Sequence, residues 1–326
     1  MTSSFGSVLI TGGSGFLGRA LVRRLLETDA SQRICVFSRG EHAQADMREE
    51  LGNDSRMRFF IGDVRDYSRL KRAMSGVSLV IHAAALKRIE VGHYNPTEMI
   101  RTNVDGTVNA VEAAQDAGVA KFLFISSDKA FQPVSAYGQS KALAESAVLA
   151  ANAGAGGKTK FAACRYGNVW LSTGSVVPKW LEAIKTHVMP TMTHPDCTRF
   201  FMTCHEAVSL VLDTASVMTG GELAIPDLPA YRLGTLAMAM GINPTVTGLP
   251  KWEKQHEGMG PDHDSAGARR MTVEELRVHL AEVMPRPALA PPRTAIDIAR
   301  QIEELSCELI GKVSCGHETG SRMIAA

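Results

Sequence analysis

Val8-Leu9-Ile10-Thr11-Gly12-Gly13-Ser14-Gly15-Phe16-Leu17-Gly18 is the stretch on which the reading of this 326-residue chain turns. Its apolar start predicts a short buried strand, and the apolar spacing over 16–27 predicts a helix directly after the glycines. Gly12, Gly15 and Gly18 recur at every third position on the turn between them. There, backbone N–H groups and the helix dipole can receive a pyrophosphate, and any Cβ would hold the phosphates away from the backbone. Out of context, such a turn could simply pack a helix on a strand. In this setting a dinucleotide cradle of Gly12, Gly15, Phe16, Leu17 and Gly18 is the expectation.

The alternation continues outward. Further strands are expected at 33–38, 58–61, 79–82, 121–126 and 160–165, with helices at 96–117 and 137–152. Strands and helices in turn, joined by right-handed crossovers, imply an α/β fold with a Rossmann-like doubly wound parallel sheet. Residues 1–170 are read as the dinucleotide-binding domain, rejoined by about 199–220. The looser segment 171–283, rich in Pro, Gly, Thr and Met, is read as a smaller substrate-binding part. Residues 284–326 read as a proline-rich linker, an amphipathic helix over 295–312 and a tail. That helix either docks on its own chain or joins copies of it, since a single apolar face carries no address.

Charge excludes one class of function. Lys and Arg number 35 against 34 Asp and Glu, and no long basic stretch occurs, so no nucleic-acid partner is expected. The six cysteines are scattered without Cys-x-x-Cys pairs, which argues against a disulfide framework or a zinc ribbon. Cys197, Cys204 and His205 come nearest to a metal pattern, but adjacent Cys and His suit a tetrahedral site poorly, and no metal is expected. No basic start precedes an apolar core, and no apolar run reaches the roughly 18 residues of a membrane span. Neither a signal peptide nor a membrane partner is therefore expected, and a cytoplasmic location is the default.

The second strand ends Phe37-Ser38-Arg39, where a site for NAD would place a carboxylate on the adenosine ribose. A guanidinium there can instead clamp a 2'-phosphate, so Ser38 and Arg39 predict NADP, with a solvated Arg39 and NAD as the alternative. Asp63 and Val64, after the third strand, are placed to hold the adenine, and Ala83, Ala84 and Ala85 to leave room for the middle of the cofactor. The fifth strand runs into Ser127-Asp128-Lys129, and Tyr137 and Lys141 follow one helical turn apart. On a helix that spacing puts an ammonium beside a phenol, which can hold the cofactor ribose and favour the phenolate. A tyrosine needs such help to act as a base near neutral pH.

These motifs resemble the extended short-chain dehydrogenase/reductases, and more narrowly the UDP-N-acetylglucosamine 4,6-dehydratases that invert C5, over roughly 6–260. Besides the glycine loop, the likeness is carried by Phe59-Phe60-Ile61-Gly62-Asp63-Val64, His82-Ala83-Ala84-Ala85-Leu86-Lys87, Thr102-Asn103, Ser127-Asp128-Lys129-Ala130, Arg165-Tyr166-Gly167-Asn168-Val169, Thr198-Arg199-Phe200 and Glu253-Lys254 with His256-Glu257. The resemblance implies that Tyr137 takes the proton of the sugar 4-hydroxyl while a hydride passes from C4 to NADP. It implies further that Lys129 removes the C5 proton, that Asp128 protonates the departing C6 hydroxyl, and that the hydride returns to C6. Ser127 stands where a threonine is usual and keeps a hydroxyl for the sugar oxygen. The resemblance also assigns Asn103 and Tyr166 to the cofactor, Lys87, Asn168, Val177, Arg199, Glu253 and Glu257 to the UDP-sugar, and a homo-oligomeric state. Lys129 must lose its proton to act as a base, and proximity to Lys141 and the oxidised nicotinamide is expected to lower its pKa.

Two departures fall at the nucleotide end. Pro250 stands where the family has an arginine, leaving Lys251 as the nearby charge, and Trp170-Leu171-Ser172-Thr173 replaces a smaller segment. Lysine does not reproduce the fork of arginine at a pyrophosphate. A nucleotide-sugar 4-epimerase, which has no need of Asp128 and Lys129, and a non-catalytic NADP-sensing protein are the competing readings.

Overall fold

The structure, a computed structural model, describes residues 5–284. The proline-rich run, the amphipathic stretch 295–312 and the tail lie outside the described residues.

From the N-terminus the elements are β1 (Ser7–Thr11), α1 (Phe16–Glu27), β2 (Arg33–Ser38), α2 (Glu41–Glu50), β3 (Met57–Ile61), α3 (Tyr67–Ala73), β4 (Leu79–His82), α4 (Ile89–Tyr94), α5 (Pro96–Met99) and, after a π-helical turn Ile100–Asp105, α6 (Gly106–Asp116). There follow β5 (Lys121–Ile125), α7 (Ala136–Gly154), β6 (Lys160–Cys164), β7 (Asn168–Val169), α8 (Val176–Lys185), β8 (Thr191–Met192), β9 (Thr198–Met202), α9 (Cys204–Val217), β10 (Leu223–Ala224) and β11 (Ala230–Arg232). The seven-stranded sheet has the order β10-β6-β5-β4-β1-β2-β3, and every pairing in it is parallel. The six strands expected from the sequence are all there, each within about one residue of its expected ends. The two-residue β10, too short to show a period, was not foreseen.

Strand periodicity explains the two cores. Val8, Ile10, Ile34, Val36, Leu123 and Ile125 face one side, where Leu21, Val22 and Leu25 of α1 and Val208 and Val211 of α9 cover them. Leu9, Phe37, Val80, Phe122, Phe124 and Phe161 face the other, under Leu70 of α3, Ala110 and Ala114 of α6, and Ala144 and Val148 of α7. A sheet buried on both faces needs such near-continuous apolar strands, and each large side chain fully buried there contributes roughly 1.5–3 kcal/mol. A second sheet, β11-β9-β7, packs its own core of Val169, Phe200, Met202 and Ala230.

Residues 5–234 with 244–271 form one compact unit, which holds the two sheets just described. The other unit, among the described residues, comprises 235–243 and 272–284, and in it the helix Val273–Leu280 starts from a capping box between Thr272 and Glu275.

Candidate active site

A cleft of about 1190 Å³ runs along the C-terminal ends of the parallel strands, within the larger unit. Its first end is built by the glycine loop. Gly12 has φ +67°, and a Cβ on it would lie 2.9 Å from Ala84 Cα, so glycine alone fits between β1 and the segment after β4. Helix α1 starts at Gly15 with no side-chain cap and no acidic residue in its first turn, and Phe16, Leu17 and Gly18 line the cleft. An uncapped helix start facing open space suits an anion, and a pyrophosphate fits it.

Ser38 is held by local bonds: its hydroxyl lies 2.9 Å from both Ser14 Oγ and Gln44 Nε2. Arg39 is exposed on the cleft wall, and among the described residues nothing hydrogen bonds to its guanidinium. Both oxygens of Asp63 are taken by Arg65, at 3.0 and 2.7 Å, and that hydrogen bonding holds the carboxyl below its ordinary range. Asp63 and Val64 line the cleft together with Ala83, Ala84 and Ala85. Behind the loop, buried His82 bonds Thr11 at 2.9 Å and Thr107 at 3.1 Å, and burial depresses its pKa to about 3, so it is a neutral strut.

The middle of the cleft holds the acid and base groups. The chain leaves β5 through Ser126 and Ser127 into a tight turn, Asp128–Ala130, where the Ser127 hydroxyl accepts from Lys129 N–H at 3.2 Å. Helix α7 starts nearby, capped by Ser135 on Gly138 N–H. A Cβ on Gly138 would collide with Lys129 O, so this glycine lets the start of α7, and Tyr137 with it, press against the Asp128–Lys129 turn. Ser127, Asp128, Lys129, Tyr137, Lys141 and Tyr166 all line the same cleft.

Asp128 is 1% exposed. Its Oδ1 accepts from Ser127 Oγ at 2.8 Å and Lys129 Nζ at 3.1 Å, while its Oδ2 is buried with no hydrogen-bond partner. Burial and the charge of Glu257 push its pKa up against the pull of Lys129. Lys129 Nζ also lies 3.2 Å from Glu257 Oε1. Burial alone would lower its pKa, but the charges of Asp128 and Glu257 outweigh that and raise it. The lowering expected from Lys141 is thus corrected: Lys141 is not among the charges acting on Lys129, which rests between two carboxylates as an ammonium.

A second correction concerns Tyr137. Burial pushes the phenol pKa up, and the counteracting influences are the charge of Lys129 and the neighbouring Ser127 hydroxyl, not the charge of Lys141. Lys141 Nζ instead donates to Ile125 O at 2.5 Å and sits 4.0 Å above the Phe124 ring, and burial brings its pKa down to about 7. One turn further along α7, Glu145 accepts from Ser126 at 2.6 Å and from Arg165 Nε at 2.8 Å, tying the ends of β5 and β6 to the helix. No site role was foreseen for Glu145, although it shares the helical face of Tyr137 and Lys141 at the same four-residue interval.

At the far end Lys87, Asn168, Arg199 and Glu253 line the cleft. Arg199 donates to Thr198 O at 2.8 Å and Gln255 O at 3.2 Å, and pairs with Glu253. Four residues assigned from the sequence are not on the wall. Asn103 is clamped between Leu86 O, at 2.9 Å, and Ser140 Oγ, at 2.9 Å, so it braces the segment after β4 against α7. Val177 packs inward from the first turn of α8, and Lys251 projects to solvent while its neighbour Trp252 lines the cleft, stacked on His93 at 4.2 Å. Glu257, 2% exposed, is buried against Lys129 and Lys254.

The comparisons agree with this geometry. The family model described as polysaccharide biosynthesis protein matches residues 8–275. An uncharacterized membrane protein of Methanocaldococcus jannaschii is 45% identical over 231 residues, 71% of this chain and 69% of that one. A UDP-N-acetylglucosamine 4,6-dehydratase (inverting) of Campylobacter jejuni is 42% identical over 264 residues, covering 79% of this chain and 78% of the relative. A UDP-glucose 4-epimerase of Rickettsia bellii is 41% identical over 238 residues, 72% and 70% of the two chains. Among solved structures, Pen from Bacillus thuringiensis superposes with a TM-score of 0.82 at 30% identity, over 87% of this chain and 100% of that one. The dTDP-glucose 4,6-dehydratase DesIV of Streptomyces venezuelae, solved with NAD bound, shares the fold at a TM-score of 0.70 and 20% identity, over 91% and 96%. With its parallel sheet, its glycine loop and the Tyr137 and Lys141 helix in one cleft, this chain belongs to the polysaccharide biosynthesis protein family of extended short-chain dehydrogenase/reductases.

Proposed function

We propose that the protein is a nucleotide-sugar 4,6-dehydratase that removes water from a UDP-N-acetylhexosamine, UDP-N-acetylglucosamine in the first instance, with NADP as its recycled cofactor. The observation that carries this reading is the adjacent Asp128 and Lys129, 3.1 Å apart, lining one cleft with Tyr137. Exchange at C4 alone needs a tyrosine and a dinucleotide; a paired acid and base are needed when C5 loses a proton and C6 loses its hydroxyl. The similarity to the Campylobacter dehydratase supports the same reading.

When bound along Gly12, Gly15 and Gly18, the dinucleotide supplies a reversible hydride acceptor beside the sugar. Tyr137 Oη takes the proton of the 4-hydroxyl, helped by the charge of Lys129 and the neighbouring Ser127 hydroxyl. The ketone at C4 acidifies the C5 proton. Asp128 and Lys129 then share one proton, and its passage across their 3.1 Å contact converts the resting ion pair into a neutral acid and a neutral base. Lys129 Nζ accepts the C5 proton while Asp128 Oδ2, which has no other partner, gives its proton to the departing C6 hydroxyl. Elimination therefore restores the ion pair and releases one water, and Lys129 then gives a proton back to C5 as the hydride returns to C6, so that the cofactor would end oxidised as it began.

NADP is favoured over NAD by Ser38 and the exposed Arg39. Cytoplasmic action, as the default location, and a homo-oligomer, as the family-based expectation, belong to the proposal. Incubation with UDP-N-acetylglucosamine and NADP, followed by mass spectrometry, tests the reading. A product lighter by one water is expected; a product of unchanged mass with C4 inverted would replace the dehydratase with an epimerase.

A further inference from the structure

Glu257 is 2% exposed and does not line the cleft, whereas Lys129, its partner at 3.2 Å, does. Its second oxygen lies 3.4 Å from Lys254 Nζ, and Lys254 is itself anchored on Phe131 O at 2.6 Å. The Glu257 backbone is clamped by Ser265: the Glu257 N–H donates to Ser265 Oγ at 2.8 Å, and Ser265 N–H donates to Glu257 O at 2.7 Å. Ser265 Oγ in turn lies 2.6 Å from Thr198 Oγ1. The charged groups acting on the Glu257 carboxylate are Lys129 and Asp128 from the turn after β5, Arg199 from β9, and Lys254.

Burying a carboxylate is costly unless it is paired, so its presence here calls for a reason. Asp128 alone would neutralise Lys129. A second carboxylate adds two things. It holds Nζ from two sides, at 3.1 and 3.2 Å, which fixes where the amine stands. It also takes up part of the ammonium charge, so that the buried Asp128 carboxyl can keep a proton.

We infer that Glu257 is a positioning residue for the elimination: its buried carboxylate fixes the Lys129 amine on the cleft wall and leaves Asp128 free to carry the proton given to the departing hydroxyl, without touching the nucleotide. This rests on the dehydratase reading and replaces the UDP-sugar contact that the family resemblance implies for Glu257.

Glu257→Gln keeps the size and one acceptor oxygen and removes the charge. With less negative charge beside it, Lys129 should hold its proton less tightly. The 13Cε signal of Lys129 in the full-length protein, assigned with Lys129→Arg, should then titrate lower by about one pH unit or more. The acid limb of kcat for water loss should move to lower pH with it, because the Asp128–Lys129 pair, which must share a single proton, takes up an inactivating second one only at lower pH once the Glu257 charge is gone. At the optimum kcat should fall about 10-fold or more through looser placement, with KM for UDP-N-acetylglucosamine within about twofold. Glu257→Asp, which keeps the charge but shortens the reach, should leave the limb near its wild-type position and still lower kcat.

A raised KM with an unmoved limb would return Glu257 to the nucleotide and overturn the inference. So would an unmoved Lys129 titration, which is read without any substrate. If the titration shifts but the wild-type protein removes no water, the dehydratase reading fails while the link between Glu257 and Lys129 stands.

Discussion

Lys129 Nζ stands 3.1 Å from Asp128 Oδ1, while the other oxygen of the same carboxyl, Oδ2, is buried without a partner. Neighbours in sequence thus form both an ion pair and a proton donor with one free position. The pair can exchange a proton internally, which is how one contact serves two opposed tasks.

That contact makes the half-reactions separable. Asp128→Asn should lower the rate of water loss by about 100- to 10,000-fold while C4 oxidation persists. The reduced nicotinamide should therefore build up in its absorbance. Lys129→Ala should abolish deuterium uptake at C5 from heavy water, and uptake at the wild-type rate would remove Lys129 from the base role.

Lys141 predicts a conflict between stability and function. Its ordinary pKa of 10.5 falls to about 7 in the folded chain, through burial. Below about 7 both states carry the proton and the folded state bears the full cost of a buried ammonium. Between about 7 and 10.5 the unfolded chain binds a proton that the folded chain has lost, so stability rises with pH across that window. Lys141→Met should remove this slope and stabilise the cofactor-free protein near pH 6 by on the order of 1 kcal/mol, while turnover is lost. Thermal melts from pH 6 to 10 check it, and a wild-type curve flat over that range would contradict it.

Arg39 should set the choice of dinucleotide. With no hydrogen-bond partner among the described residues, its exposed guanidinium is available to a 2'-phosphate. Arg39→Ala should weaken NADP binding by about 10- to 100-fold and leave NAD nearly unchanged, since a charge-assisted hydrogen bond contributes about 1.5–3 kcal/mol. Calorimetric titration with both dinucleotides decides it; equal losses for the two would point to NAD as the natural cofactor.

Gly12→Ala tests the cradle. The residue has φ +67°, and the new methyl would meet Ala84 Cα at 2.9 Å. Backbone strain alone should cost roughly 1–3 kcal/mol, so a lowered Tm and weaker dinucleotide binding are expected together. Unchanged affinity would separate this loop from the cofactor.

What could be read from the chain alone was local. A buried parallel strand announces itself by its own apolar run, and the glycines are needed because of the backbone beside them, so β1 to β6, α1 and the dinucleotide loop were legible in order. Tyr137, Lys141 and the Asp128–Lys129 pair were legible for the same reason, since each spacing lies within one turn or one helix. Electrostatics was not legible, because a charge acts through space. Lys129 was expected to have its pKa lowered by its neighbours, and only folding brings Glu257 to within 3.2 Å of it. Nor does sequence tell whether a polar side chain faces a cleft or the protein behind it. Asn103 spends its amide on Leu86 and Ser140, and Trp252 rather than Lys251 reaches the cleft, because packing between distant segments decides which side of a turn faces inward.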